Sequence, residues 1–303
     1  MNPTPEDMAR ALDAHPDYRV LRRLQPRTSF NPASEGLPCA RGIVLDTETT
    51  GLSSETDRVI ELGMLLFEFD PTTGLIYRVL DVFDELEDPG FPIPPANTAI
   101  HHITDAMVQG KRIDDAKVAR LLKGVSVVIA HNAGFDRPFV EQRWPAFENL
   151  LWACSIRDID WQAEGFGSAK LEYLLQTQGI FYEAHRAETD CWALLELLHH
   201  QLPQSQQPAL LSLLETLNQP QLKLSALGSP FETKDLLKQR GYRWSGEQRC
   251  WSRLLSGEQA LEEELSWLKR RVYGNRSAQV ELETLGGTIR YSNRQGQKKL
   301  VPL

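Results

Sequence analysis

Apolar positions along the first two thirds of the chain alternate between short unbroken runs and helical spacings, which predicts a layered α/β domain. Residues 42–46 are a short apolar run closed by an acid, the pattern of a buried central strand. Residues 59–69 are apolar with few breaks and predict a second strand; residues 76–83 alternate and predict a third. The turn signal Asp70-Pro71-Thr72-Thr73-Gly74 predicts that these two pair as a hairpin. Residues 126–130 read as a further buried strand and 136–143 as the helix after it. Residues 168–178 predict a helix with Ser168 as N-cap and Gly179 as stop. Another runs over 188–200 towards Pro203, and a last one, 209–217, stops before Pro220. Three neighbouring strands followed by alternating helices and strands give a mixed β-sheet flanked by helices.

The flanks differ. Between residues 7 and 24, Met8, Leu12, Tyr18, Leu21 and Leu24 fall at helical spacing, broken by Pro16, and Pro26 and residues 31–36 read as linker. This extension is expected to pack on the domain that follows. After Gly228-Ser229-Pro230 the elements shorten: a helix over 232–240 closed by Gly241, then a hairpin in which Tyr242-Arg243-Trp244 and Cys250-Trp251-Ser252-Arg253 flank the turn 245–248. An amphipathic helix over 258–271 follows, and then a hairpin of 279–285 and 288–292 around Gly286-Gly287. The expected division is an N-terminal helical extension and linker (1–40), the α/β domain (41–203), a helix and linker (204–229) and a small α+β module (230–303).

Composition narrows the class. In a chain of 303 residues, 41% hydrophobic and 24% charged residues are ordinary for a globular protein. No apolar run approaches the ~20 residues of a membrane helix, so no membrane partner is expected. The first residues lack the basic and apolar regions of a signal peptide. Cys39, Cys154, Cys191 and Cys250 are scattered without a CxxC pair, against a zinc site or a disulfide framework and in keeping with a cytoplasmic location. The net charge of −8 hides an asymmetry. Residues 221–303 carry 15 Lys and Arg against 9 Asp and Glu, whereas residues 1–220 carry 18 against 32. The C-terminal piece is thus suited to phosphate and the larger piece to metal.

Three short motifs carry the chemistry: Asp46-Thr47-Glu48-Thr49-Thr50-Gly51, His131-Asn132-Ala133-Gly134-Phe135-Asp136 and His185-Arg186-Ala187-Glu188-Thr189-Asp190. Residues i and i+2 of a strand share a face, so Asp46 and Glu48 can reach one ion from the end of the central strand. Asp136 falls at a helix start, where an aspartate is also a common cap. Asp190 lies near the start of an apolar helix, with His185 a turn earlier. Clustered carboxylates are what a pair of Mg²⁺ or Mn²⁺ ions needs, and a histidine suits the activation of water.

In order and spacing these motifs resemble the DEDDh 3′–5′ exonucleases of the DnaQ-like, ribonuclease H-like superfamily, over about residues 41–202. The resemblance is to the histidine class, because the position four before the last Asp, a tyrosine in the sister class, is Arg186. It implies a ribonuclease H-like fold and a two-metal hydrolysis that releases 5′-mononucleotides from a free 3′-OH end. Asp46, Glu48 and Asp190 would hold the catalytic metal, with Asp46 bridging to a second that Asp136 positions through water, and His185 would be the base. Thr49, Thr50, Gly51, Asn132 and Phe135 are then candidates to contact the substrate. So is His101 of Ile100-His101-His102-Ile103-Thr104, which resembles a family segment with glycine in place of His102. His131 reads as a structural member of its motif.

In the C-terminal module, Arg243 and Arg249 interleave with Trp244 and Trp251, a composition suited to single-stranded nucleic acid or to the aromatic core of a small hairpin. Gln221-Leu222-Lys223-Leu224 distantly resembles a sliding-clamp-binding peptide without its terminal aromatic. The leading expectation is a DNA exonuclease, stand-alone or beside a DNA polymerase. Its rivals are an exoribonuclease of the ribonuclease T or oligoribonuclease kind and a non-catalytic nucleic-acid-binding adaptor. The complete acidic set argues against the adaptor, since clustered carboxylates are costly without metal.

Overall fold

The computed structural model describes residues 3–32, 36, 38–217, 219, 221–246 and 248–303. The linker reading at 33–35, the helix stop at Pro220 and the turn position Glu247 lie outside the described residues. The chain forms two compact units, Met1–Leu214 and Glu215–Leu303.

In chain order the first unit contains α1 (Pro5–Asp13), β1 (Arg22–Arg23), β2 (Ala40–Thr49), β3 (Val59–Phe69) and β4 (Ile76–Leu86). Next come α2 (Pro95–His101), α3 (Asp105–Val108), α4 (Asp115–Leu121), β5 (Val127–Ala130), α5 (Ala133–Arg143) and β6 (Trp152–Cys154). It finishes with α6 (Leu171–Thr177), β7 (Ile180–Phe181), α7 (Ala187–His199) and α8 (Ala209–Leu217), which runs over the boundary. The sheet order is β4-β3-β2-β5-β6, antiparallel among β2, β3 and β4 and parallel from β2 through β5 to β6. This is the mixed, helix-flanked sheet of a ribonuclease H-like fold.

β2 is central because Ile43, Val44 and Leu45 bury both of its faces completely. α7 packs on β2 and β3, with Cys191, Ala193, Leu195 and Leu198 fully buried. Gly63 of β3 makes this approach possible, since a Cβ there would collide with the backbone of Ala187 and Glu188. A helix so close to the sheet brings its first turn beside the end of β2.

Several expectations are corrected. The N-terminal helix ends at Asp13, and Tyr18, Leu21 and Leu24 are not on it. The chain beyond is extended because its partners are in the α/β domain: β1 pairs in parallel with β7, Arg27 pairs with Glu196 at 2.8 Å, and Phe30 N–H donates to the Tyr77 carbonyl. The helix expected from Ser168 starts at Leu171, with Lys170 as N-cap; the Ser168 hydroxyl instead accepts from Lys170 N–H in a local turn.

The second unit is an antiparallel sheet of β8 (Gln221–Ala226), β9 (Arg243–Ser245), β10 (Cys250–Ser256), β11 (Gln279–Leu285) and β12 (Gln297–Pro302), in the order β12-β11-β8-β10-β9. Its core joins Leu224, Val280 and Leu282 of the sheet to Leu237 of α9 (Lys234–Gln239) and to Leu261 and Leu265 of α10 (Glu258–Trp267). Residues 221–226, expected as linker, are the middle strand. Gln221-Leu222-Lys223-Leu224 is paired on both sides and buries Leu222 and Leu224, so it is not an exposed clamp-binding peptide. The expected strand 288–292 is turn: β11 pairs with β12 instead, and the connection between them is pinned by Arg290, which is wholly buried and bonds the Thr216 carbonyl. α10 ends at Trp267 and gives way to a π-helical turn, Leu268–Val272.

Candidate active site

Asp46 and Glu48 leave the end of β2 on the same face, opposite Gly63 and Glu61 of β3. One carboxylate oxygen each from Asp46, Glu48 and Asp190 lie within 4.8 Å of one another. This donor set fits a hard divalent cation. The three residues sit in a cleft of about 720 Å³ that His131, Asn132, Phe135, Asp136, Lys170, Tyr182 and His185 also line.

Local structure aims each acid. Asp136, in the first turn of α5, is 2% exposed, and its Oδ1 accepts from the Thr47 N–H at 3.1 Å and hydroxyl at 2.8 Å. It lies beside the three-acid group rather than within it. Asp190 Oδ2 accepts the backbone N–H groups of His185 at 2.8 Å and Arg186 at 3.2 Å, and its Oδ1 accepts from the Tyr182 hydroxyl at 3.0 Å. His185 lies on the loop before α7 with φ +70°, a left-handed conformation that turns its N–H onto Asp190.

Glu61 was not anticipated. It is fully buried, accepts the Ala187 N–H at 2.9 Å and binds the Arg186 guanidinium through both of its oxygens. It therefore ties the first turn of α7 to β3. An acid inside the apolar run 59–69 was the available signal, but its partner, 126 positions away, was not readable locally. Glu61→Ala is expected to cost about 2 kcal/mol in urea unfolding with Mg²⁺ present, from the unpaired Ala187 N–H. The Arg186 share is discounted because that side chain is 40% exposed. A loss below about 0.5 kcal/mol, within the range of a neutral surface change, would contradict this role.

The other expected contacts divide. Asn132, with φ +79° at the N-cap of α5, and Phe135 line the cleft. Phe135 is half-buried there, against Phe139. Thr49, Thr50 and Gly51 are not part of its wall. Their groups are spent within the loop: the Thr49 hydroxyl donates to the Gly51 carbonyl at 2.6 Å, and the Thr50 hydroxyl accepts from Arg58 N–H at 3.0 Å. His101 is also absent from the wall; it is buried, and its Nδ1 accepts from Ile103 N–H. His102 takes the left-handed conformation, φ +61°, that a glycine would adopt freely. His131 is braced by Ser155 at 2.7 Å, and burial lowers its pKa to about 4, which keeps it neutral.

The acids are poised against their own charge. Burial, then repulsion from Asp190 and Glu61, pushes Glu48 up to about 8. Burial and Asp136 push Asp46 well above the carboxylate range. Burial raises Asp136 to about 7 against the opposing Thr47 donors, and it raises Asp190 against those of Tyr182 and the backbone. Folded-state pKa values above the unfolded ones mean that the metal-free fold binds extra protons from about pH 4 to about pH 8. That stabilisation is complete below the unfolded values and is lost as pH rises through the folded ones. A cation needs the ionised forms, so its stabilisation grows across the same window. Melts in EDTA should show Tm falling from pH 5 to pH 8, with Mn²⁺ reversing most of the fall. Each tenfold difference in proton affinity corresponds to about 1.4 kcal/mol, or roughly 4 °C in a domain of this size. A Tm in EDTA that stays flat over this range would contradict the prediction.

A mixed sheet with clustered acids at the end of its central strand defines a ribonuclease H-like nuclease. A family model described as Exonuclease (RNase_T) matches residues 43–198, just over half of the chain. DNA polymerase III subunit epsilon of Treponema pallidum is 35% identical over 162 residues, which cover 50% of this chain and 72% of that protein. DNA polymerase III PolC-type of Lacticaseibacillus paracasei is 36% identical over 107 residues, 35% of this chain and only 7% of that much longer protein. The zinc-bound E. coli ExoI–single-stranded DNA complex matches the fold with a TM-score of 0.50 at 14% identity, covering 77% of this chain and 71% of that one. The chain belongs to the exonuclease family. Its class is that of a 3′–5′ exonuclease, a hydrolase. Among the described residues no helix is long and apolar enough to cross a membrane.

Proposed function

We propose that the chain hydrolyses the terminal phosphodiester bond at a free 3′-OH end of DNA, single-stranded or frayed, and releases 5′-mononucleotides. The observation that carries this reading is the convergence of Asp46, Glu48 and Asp190 within 4.8 Å in a cleft that His185 also lines. These three acids would hold Mg²⁺ or Mn²⁺, and Asp136 would serve a second ion through water. The ions would polarise the phosphate and lower the pKa of bound water. His185 takes the proton from the attacking water. Asp190 is kept in register by Tyr182 and by the backbone of the His185 loop. Asn132 and Phe135 offer a polar edge and an apolar face to the terminal nucleotide. Likeness to DNA polymerase III subunits supports DNA as substrate and a polymerase as partner.

The test is a time course on 5′-labelled single-stranded DNA and RNA oligonucleotides in Mg²⁺, Mn²⁺ and EDTA. The expected result is a metal-dependent ladder that shortens from the 3′ end and runs faster on DNA. Faster trimming of RNA would overturn the substrate assignment, and no cleavage by folded protein in either metal would overturn the catalytic one.

A further inference from the structure

We propose that the β9–β10 hairpin of the second unit is a docking surface for single-stranded nucleic acid, bound without regard to sequence. β9 is an edge strand of three residues and, among the described residues, pairs only with β10. Trp244 faces Trp251 across this pair, the rings 5.7 Å apart and inclined at 60°. Trp251 packs on the core of the unit, whereas Trp244 is 53% exposed at the rim. One indole thus anchors the other, which presents a supported π-face to solvent.

Two arginines flank this ring in the chain. Arg243 precedes Trp244 and is exposed, and Arg249 is exposed where the turn re-enters β10. Neither makes an ion pair among the described residues. Arg249 has φ +49°, the left-handed conformation of a residue that closes a hairpin loop. At the base of the hairpin the buried Tyr242 stacks on Trp267 at 19°, which ties the hairpin to the core of the unit. Arg240 and Arg253 there share one buried carboxylate, Glu264. Over residues 221–303 Lys and Arg outnumber Asp and Glu. An exposed aromatic face together with exposed guanidinium groups suits a strand that carries both bases and phosphates. An acidic protein partner would be served by the arginines and would leave the indole face without a use.

The test uses the full chain in EDTA, so that binding is read without hydrolysis and independently of the exonuclease assignment. Fluorescence anisotropy follows a labelled oligothymidylate of about 20 nucleotides, longer than typical single-strand sites. Trp244→Ala is expected to weaken binding about tenfold, and Trp244→Phe to restore most of it. Arg243→Gln and Arg249→Gln should each reduce the slope of log affinity against log salt by about 0.7. In Mg²⁺, Trp244→Ala should raise KM on long single strands and leave kcat unchanged. If Trp244→Ala melts as the parent does and binds as tightly, the proposal is overturned. Unchanged salt slopes in both arginine variants overturn it as well, even if Trp244→Ala fails to fold. Loss of turnover with intact oligonucleotide binding would sink the exonuclease reading alone.

Discussion

Asp46→Ala abolishes hydrolysis, lowering turnover about 10³-fold or more while the protein stays folded. The loss is large because Asp46 sits between the other acids: it belongs with Glu48 and Asp190 to the group that fits a cation, and Asp136 is the strongest charged influence on it. Removing one ligand of a metal that supplies several kcal/mol of charge stabilisation costs on the order of 4 kcal/mol in the transition state, or about three decades in rate. Stability moves the opposite way. In EDTA at pH 8 the variant should melt above the parent, because a buried acid crowded by like charge is gone. Added Mn²⁺ should no longer raise its Tm as it does for the parent. Single-turnover kinetics with paired melts checks both halves. Hydrolysis within tenfold of the parent would remove Asp46 from the metal site, and a lower Tm in EDTA would contradict the electrostatic account.

The acids were legible in the sequence because each stands beside a local signal. Asp46 and Glu48 close an apolar run at the spacing that shares a strand face, Asp136 lies at a helix start after a buried strand, and Asp190 lies near the start of an apolar helix. What holds them is non-local. Glu61 becomes meaningful only through the β2–β3 register that sets it opposite Glu48 and through α7 packed on Gly63. Tyr182 belongs to no motif, and its hydroxyl reaches Asp190 because the chain from β7 to α7 folds back over the cleft. Thr49 and Thr50 lie inside the strongest motif, and their hydroxyls brace the loop itself, Thr49 through the Gly51 carbonyl and Thr50 through the Arg58 N–H. β8 was missed for a similar reason. Its six residues lie between helix and loop signals, and their strand character comes from β10 and β11, whose sequences lie well beyond them.

His185→Ala separates the base from the metal site. The backbone N–H groups of His185 and Arg186, not the imidazole, donate to Asp190 Oδ2, so alanine retains the bonds that orient this ligand. Metal-induced stabilisation and KM should therefore stay near the parent values, while kcat falls about 10²-fold, the usual contribution of a positioned general base. Alanine also inherits the strain of the left-handed conformation at φ +70°, so a loop that relaxes after truncation is a competing cause of a slow variant. Asparagine tolerates that conformation and resolves the ambiguity. If the imidazole is the base, His185→Asn is as slow as His185→Ala, although its loop is unstrained and its metal response intact. Recovery of rate by asparagine would assign the role of position 185 to loop geometry. A fall below tenfold in both variants would leave activation of the water to the metal ions alone.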